Sequence, residues 1–327
     1  MKASDVGERS LVEIARRTFK KGPRVRIGIG DDAAAIDIDA TCLVATTDML
    51  VSSVHFPPGT KPEEIGRKAV IVNLSDLAAM GAEPLGLIFS VAIPRDLDVE
   101  FIKRLMKGMN STALEYGTYV VGGDMDESRE ITIAGAAFGL ARRDSLLRRS
   151  EAKPGDLIVV TGNLGASSAG LKILLDKLPV AGYKKLVDAQ LKPTARVKEG
   201  MALARSGLVK AAIDLSDGLI SNLWNLVRES KVKLIVDHDK IPVHHLVKKF
   251  AEEHRLNIDD FALFGGEDFE LIFTVSQKGW SKVHHVLKRL GTKATPIGRV
   301  TKGRGVFVKA EGKPKLVADS GYQHFKS

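Results

Sequence analysis

The sequence of 327 residues predicts an α/β protein built from two domains. Segments with apolar residues at every second position alternate with segments of helical periodicity, as in proteins that combine strands and helices. The chain is long enough for two hydrophobic cores. A charged stretch at residues 141–154 ends in a proline and precedes a new apolar strand, so it predicts the boundary between the domains.

The first half begins with a short strand that ends in two adjacent aspartates. Val25, Ile27 and Ile29 alternate with polar or small residues, which is the pattern of a half-buried strand. Asp31 and Asp32 follow in the segment GIGDDAAAI, where no neighbour in the sequence neutralises them. This pair is a candidate site, because small flanking residues let a ligand approach the backbone.

A second strand is predicted from Cys42 to Thr46, and a helix of about five turns follows it. Thr60 can cap this helix, Pro62 suits its first turn, and Gly81 can end it. The helix therefore forms the main packing element that the sequence predicts for the first half.

One acid interrupts the apolar face of this helix. At 100° per residue, Asp76 shares one narrow stripe with four apolar residues: Ile65, Ala69, Val72 and Met80. The simplest explanation is an ion pair with a cation on a neighbouring turn, either Lys68 or Arg67. The alternative is a functional carboxylate held on a rigid helix.

Three further segments place acids beside glycines. A helix at residues 98–116 leads to a strand that ends in Gly123 and Asp124. The second half adds Asp214 and Asp217 in IDLSDGL, and Glu267 and Asp268 in GGEDFEL. Each acid alone is most simply a turn residue or a helix cap. With the Asp31–Asp32 pair and Asp76, five segments place acids at strand ends, beside glycines or on an apolar helix face, and together they favour a shared site.

Converging carboxylates need a cation, since two like charges about 4 Å apart repel by roughly 4 kcal/mol at an effective dielectric of about 20. An oxygen-only donor set favours magnesium, and magnesium with phosphate oxygens indicates phosphoryl transfer. The segment GNLGASSAG lacks the lysine of a phosphate loop, so a tight strand-to-helix turn explains it at least as well as a phosphate cradle does. A nucleotide would therefore be held chiefly through metal ions.

Composition and charge exclude several other classes of protein. With 44% hydrophobic and 27% charged residues, the chain is neither disordered nor fibrous. The net charge of +9 admits a nucleic acid, but no basic stripe with interleaved aromatic residues supports one, and small anionic metabolites fit equally well. No apolar run reaches the about 18 residues of a membrane span, and the single cysteine suits a reducing compartment. We therefore expect a cytoplasmic protein with neither nucleic acid nor membrane as a partner.

The acid-bearing segments together resemble the thiamine-monophosphate kinase family, of the aminoimidazole ribonucleotide synthetase superfamily. The order and approximate spacing agree for GIGDDAA, TTDMLVSSVHF, KAVIVNLSDLAAMGAEP, VVGGD, RSEAKPGD, IDLSDGL, GGEDFEL and GYQHF. The resemblance implies an N-terminal domain at residues 1–140 that binds ATP and metal and pairs its sheet in a homodimer. It implies a C-terminal α/β domain at residues 150–327 that completes the active site.

The resemblance also implies an activity and the residues that support it. The γ-phosphoryl of ATP would pass directly to thiamine monophosphate, giving thiamine diphosphate and ADP, with several magnesium ions and no covalent nucleophile. The implied magnesium ligands are Asp32, Thr46, Thr47, Asp48, Asp76, Asp124, Asp214 and Asp217. The implied contacts of ATP are Gly123, Asp124, Arg149 and Ser216, and those of thiamine monophosphate are His55, Glu267 and Tyr322.

Other interpretations stay open on the residues alone. Arg149 lies in an arginine-rich segment typical of a solvated surface, and Glu151 stands where the family has glycine. His55 fits a structural histidine, and Tyr322 fits an anchor of the C-terminus. For the whole protein, a superfamily ligase or synthetase that makes a phosphate-activated intermediate is a second hypothesis. A nucleic-acid-binding protein that has lost catalysis is a third.

Overall fold

Two mixed β-sheets form the framework of the computed structural model, which describes residues 2–321 and 324. The strands of the first sheet are β1 (Val25–Ile27), β2 (Ala34–Ile38), β3 (Thr41–Val51), β4 (Glu83–Ile93), β5 (Val120–Glu127) and β6 (Thr132–Arg142). They lie in the order β1-β2-β3-β6-β4-β5, with β4 and β5 parallel and the other neighbours antiparallel. Strand β5 is therefore an edge strand.

The second sheet is built from the later part of the chain. Its strands are β7 (Asp156–Thr161), β8 (Val209–Asp214), β9 (Lys233–Asp237), β10 (Leu271–Ser276), β11 (Ala294–Thr301), β12 (Gly305–Lys309) and β13 (Lys315–Leu316). They lie in the order β13-β12-β9-β11-β7-β10-β8. The chain thus passes from one sheet to the other between Arg142 and Asp156.

Helices pack against both sheets. They are α1 (Ala3–Val6), α2 (Glu8–Thr18), α3 (Ser52–His55), α4 (Pro62–Ala79), α5 (Val99–Glu115), α6 (Ala166–Leu175), α7 (Lys184–Leu191), α8 (Val197–Ser206), α9 (Leu219–Ser230), α10 (His245–His254), α11 (Ile258–Ala262) and α12 (Gln277–Arg289). Within the described part of the chain, no helix has the length and apolar character that would let it cross a membrane.

Helix α4 lies at the centre of the molecule, and 13 of its 18 residues are buried. It contacts β3 and β6 of the first sheet, helix α5, and α8 and β8 of the second half. These contacts are close: a Cβ atom on Gly66 would lie 2.3 Å from the carbonyl oxygen of Leu105 in α5. A Cβ atom on Gly200 of α8 would lie 2.0 Å from the carbonyl oxygen of Ala78. One hydrophobic core therefore joins the two halves across α4.

The predicted cap of this helix is wrong. Lys61 occupies the N-cap position, and its backbone N–H donates to the Glu64 carboxylate at 3.1 Å. The Thr60 hydroxyl instead donates to the carbonyl of Pro57 at 2.6 Å. Because Lys61 precedes Pro62, it is restricted to the extended backbone that an N-cap residue needs.

Two acid-bearing loops of the second half are joined through their backbones. The N–H of Glu267 donates to the carbonyl of Ser216 at 2.7 Å, and the N–H of Phe269 donates to that of Leu215 at 3.0 Å. Glu267 has a φ of 64°, in the left-handed region that a residue with a side chain rarely occupies. A Cβ atom on Gly266 would lie 2.3 Å from the Ser216 carbonyl oxygen, so only glycine fits there.

Helix α2 crosses from the N-terminus to the second half. Arg16 pairs with Glu229 of α9 at 3.0 Å, and Arg9 pairs with Asp319 and donates to the hydroxyl of Ser221. The helix is thereby held against the elements that carry the second-half loops.

Candidate active site

A cavity of about 1780 Å³ lies between the two halves of the chain. It is lined by the aspartate-containing turn at residues 28–34, by β3, by the loop at residues 52–60, and by the two joined loops of the second half. Pockets for one small molecule commonly measure about 300–1,000 Å³. This cavity therefore has room for two substrates.

Three carboxylates from distant parts of the chain meet at one end of the cavity. Oxygens of Asp32, Asp76 and Asp214 all lie within 4.8 Å of one another. Asp32 follows the turn after β1, Asp76 lies on α4, and Asp214 ends β8. The hydroxyl of Thr46 donates to Asp76, and that of Ser75 donates to Asp214 at 2.6 Å.

Part of the stripe of α4 that contains Asp76 borders this cavity. Ile65 and Val72 of the same stripe also line it. Ile65, Ala69 and Met80 of the stripe are buried in the hydrophobic core, as the apolar pattern predicts. Asp76 thus lies where the inward face of the helix meets the cavity.

Burial and repulsion between neighbouring acids raise the pKa of Asp76 and of Asp214. Burial, followed by repulsion from Asp32, raises the pKa of Asp214 to about 8. Burial and then the charges of Asp48 and Asp214 hold the pKa of Asp76 well above its ordinary range. Burial raises the pKa of Asp48 and of Asp217 to about 6 in each case. A nearby cation would reverse these shifts.

The donor set fits a hard divalent cation. Carboxylate and hydroxyl oxygens are the ligands that magnesium prefers, and no cysteine lines this cavity in the described part of the chain. Neutralising three close carboxylates would also remove the cost of burying them together.

Arg149 lies against the cluster. Its Nε and Nη2 atoms donate to the two carboxylate oxygens of Asp32 at 3.2 and 2.6 Å. Its backbone N–H donates to Asp31 at 3.1 Å. The interpretation of Arg149 as a solvated surface residue is therefore wrong. Glu151 does not compete for it, because its nearest cation is Arg148, at 3.5 Å.

The simple explanation of Asp76 as a partner of a helix cation is also wrong. Lys68 lies eight residues before Asp76, about 12 Å along the axis of α4, and pairs with Glu267 at 2.6 Å. Arg67 pairs with Glu115 of α5 at 2.6 Å. Each cation therefore has a different carboxylate as its partner.

His55 and Glu267 border the cavity, and both contact Lys68. The Nδ1 atom of His55 accepts a hydrogen bond from the N–H of Val51 at 2.9 Å, which ties the ring to the backbone. The ring of His324 lies 5.4 Å from that of His55. Tyr322 lies outside the described residues.

Gly123 and Asp124 lie away from the acid cluster. Two strands, β6 and β4, lie between Asp48 on β3 and Gly123 on β5. The paired residues that connect them across the sheet are Gly135 and Phe89. Because neighbouring strands lie about 4.8 Å apart, Gly123 is about 14 Å from Asp48. Gly123 and Asp124, two of the four predicted ATP contacts, line a separate, mainly apolar cavity of about 360 Å³ beside α5. One copy of the chain therefore does not bring them to the cluster.

Thr47 differs from its neighbours on β3. Its hydroxyl donates to the carbonyl of Gly135 at 2.7 Å, and its side chain is on the opposite face of the strand from Asp48. It still borders the large cavity, as does Ser216, whose hydroxyl donates to Asp214 at 3.3 Å.

The site residues that the resemblance implies leave out four residues of this region: Asp31, Lys68, Gln190 and Asp268. Asp268 accepts from the N–H groups of Gly165 and Ser167 at 2.7 and 3.3 Å, so it caps α6 at the glycine-rich turn. This supports the interpretation of that turn as a tight connection. The position of Asp268 beside Glu267 in GGEDFEL could have indicated that Asp268 lies near the site. Nothing in the sequence singles out Gln190.

Comparisons with known proteins extend over nearly the whole chain. Residues 30–141 match the family described as AIR synthase related protein, N-terminal domain, and residues 153–311 match the corresponding C-terminal domain. The chain is 39% identical over 300 residues to thiamine-monophosphate kinase of Pyrococcus horikoshii, covering 91% of each chain. It is 37% identical over 307 residues to the enzyme of that name from Escherichia coli, covering 92% of each.

A solved structure gives the same result. The complex described as AaThiL with AMPPCP and TMP is 33% identical, has a TM-score of 0.89, and covers 99% of each chain. The predicted superfamily architecture is confirmed by these matches. The extent of the identity and the presence of both domain types show that the chain belongs to the thiamine-monophosphate kinase family, within the AIR synthase related proteins.

Proposed function

We propose that the protein is a thiamine-monophosphate kinase that transfers the γ-phosphoryl of ATP to thiamine monophosphate, giving thiamine diphosphate and ADP. The observation that carries this proposal is the meeting of Asp32, Asp76 and Asp214 in a cavity large enough for both substrates. The relatives that carry the name of this enzyme support the choice of substrates.

Phosphoryl transfer requires the protein to position the two substrates and to neutralise their negative charge. In-line transfer between two anions needs no covalent nucleophile when the reacting groups are held in place and their charge is offset. Magnesium would be held by the acid cluster with Thr46, Thr47, Asp48, Asp124 and Asp217, and when bound it offsets the charge of the phosphate oxygens. Arg149 and Ser216, which lie beside the cluster, would donate to the phosphates of the nucleotide.

The acceptor substrate is proposed to lie in the part of the same cavity that His55 and Glu267 border, which we call its acceptor end. Tyr322 is the third proposed contact. This arrangement leaves the phosphate of thiamine monophosphate directed toward the acids and keeps its rings away from them.

We also propose a homodimer in which two copies of the first sheet pack face to face. Met49, Ala134, Ser90 and Asp124 form one row across the face of the sheet that is turned away from α4. Met49 is 60% exposed, and Ile88 on the same face is 38% exposed. A two-fold axis parallel to the strands would place β5 of one copy over β3 of the other. Asp124 and Gly123 would then complete the partner's site.

The proposed domains are residues 1–140 and 150–327, which the two sheets and the two family matches support. The cytoplasmic location stays a prediction.

The test of the proposed function is an assay of the purified protein with ATP, magnesium and one acceptor at a time. We expect ADP and thiamine diphosphate in equal amounts with thiamine monophosphate, and neither product without it. ADP formed only with a formylglycinamidine ribonucleotide would instead support the synthetase hypothesis. Steep, salt-dependent binding of DNA or RNA without any ADP formation would support the third hypothesis.

A further inference from the structure

A buried lysine joins the two halves of the chain at the acceptor end of the cavity. Lys68 on α4 is 3% exposed, and its ammonium lies 2.6 and 2.7 Å from the two carboxylate oxygens of Glu267. The same ammonium donates to the backbone carbonyl of His55 at 2.9 Å. A buried ammonium is costly unless it is paired and its donors are used, and these contacts meet both conditions.

The partners of Lys68 are the two described residues that we propose as contacts of the acceptor. Lys68 therefore fixes the position of the loop that carries His55 relative to Glu267, which is 199 residues further along the chain. The ring of Phe56, the residue after His55, lies 5.7 Å from the Lys68 ammonium and covers it on another side.

Glu267 is held from the second half as well. Gln190 of α7 donates from Nε2 to the carboxylate at 2.8 Å, and the Gln190 carbonyl oxygen accepts from the Ser167 hydroxyl at 2.6 Å. The backbone of Glu267 is in the left-handed region and is fixed by its bond to Ser216. The Glu267 side chain is nevertheless 28% exposed, and it borders the cavity. Its position is thus set by three elements, and part of it stays available to a ligand.

We propose that Lys68 is a positioning residue for acceptor recognition, which acts by holding the Glu267 carboxylate toward the cavity. This inference rests on the proposed function, because it assigns Glu267 to the acceptor. Without the ammonium, the partly buried carboxylate would keep one neutral side-chain donor, Gln190, and would lose its fixed orientation. The acceptor would then lose a fixed hydrogen-bond partner, whereas the ATP end of the cavity would be unaffected.

The test is a double-mutant cycle on the full-length protein. Lys68→Met, Glu267→Gln and the double variant are compared with Lys68→Arg, which keeps the charge. Arg67→Gln is the matched control, since it removes a neighbouring positive charge from α4 whose partner, Glu115, does not line the cavity. Each variant is measured for KM with thiamine monophosphate, KM with ATP, kcat and Tm.

We expect Lys68→Met to raise KM for thiamine monophosphate by about tenfold or more, with KM for ATP changed by less than about twofold. The double variant should be no worse than Glu267→Gln alone, because both changes disable the same group. Lys68→Arg should recover most of the affinity. If Lys68→Met does not fold, the double variant, which buries no unpaired charge, is compared with Glu267→Gln.

Three outcomes would overturn the inference: an unchanged KM for thiamine monophosphate in Lys68→Met, equal increases in both KM values, or additive effects in the double variant. A wild-type protein that forms no ADP with thiamine monophosphate would instead contradict the proposed function. The two failures are therefore distinguishable.

Discussion

Replacing Asp76 by asparagine removes one charge from the acid cluster with almost no change in volume. Each pair of carboxylates in the cluster lies within 4.8 Å, so two full charges repel by at least about 3.5 kcal/mol at an effective dielectric of about 20. Asp76 has two such neighbours, Asp32 and Asp214. If all three carboxylates were ionised, the repulsion between Asp76 and its two neighbours would therefore be about 7 kcal/mol. Protonation and the contact of Arg149 with Asp32 reduce that cost.

We therefore expect Asp76→Asn to stabilise the metal-free protein while abolishing turnover. At about pH 8, the free energy of unfolding should rise by at least about 1 kcal/mol, which corresponds to a Tm increase of about 2 °C for a chain of this size. The hydroxyl of Thr46 can still donate to the asparagine oxygen, so the fold should be retained. The rise in Tm that magnesium produces in the wild type should be lost.

The assay is thermal unfolding in the presence of a chelator and then of excess magnesium, together with ADP release. Asp239→Asn is the control, because the Asp239 side chain is 87% exposed and its removal changes the net charge equally. A variant that is less stable than the wild type without metal would refute the electrostatic reasoning. A variant that keeps both the magnesium-induced rise and near-normal turnover would refute the metal assignment.

Three further predictions address the dimer, the acids and the arginine. Asp76→Asn and Asp124→Asn should each be inactive as pure proteins. A mixed dimer with one change in each copy should regain activity, because one of its two shared sites is then intact, and inactive mixtures would contradict a shared site. The pKa of Asp214 is raised to about 8 from 3.8, so without metal the stability of Asp214→Asn relative to the wild type should grow as pH rises from about 4 to about 8, and magnesium should raise the wild-type Tm more at the upper end. A stability difference between the two proteins that does not change with pH would contradict this assignment. Arg149→Lys loses the two-point contact with Asp32 and should raise KM for ATP more than KM for thiamine monophosphate, whereas equal changes would place Arg149 outside the nucleotide site.

The acids of the cluster could be predicted because each one conflicts with its local sequence. Asp76 interrupts an apolar stripe, Asp32 is followed by three alanines, and Asp214 ends an apolar run in a segment that contains a turn glycine. Such conflicts are expected at functional sites, where local preference is overridden by function. The order and spacing of the segments gained meaning only through the family resemblance, because the residues alone do not show which segments belong to one site.

The partners of the cations could not be predicted in the same way. Lys68 is one helical turn from neighbours that suit an ion pair, yet its partner is Glu267, 199 residues away. The cap of α4 was also misassigned, since Pro62 moves the cap position to Lys61. Both depend on how segments pack in three dimensions, and nearby positions in the sequence carry little information about that packing.

We propose that acids from distant segments of the chain share divalent ions that hold the phosphates of the nucleotide. A crystal of the protein grown with manganese, a non-hydrolysable ATP analogue and thiamine monophosphate tests this most directly, with anomalous scattering used to locate the ions. We expect anomalous peaks between Asp32, Asp76 and Asp214 in contact with phosphate oxygens. Phosphates bound elsewhere, with no ion at these carboxylates, would contradict it.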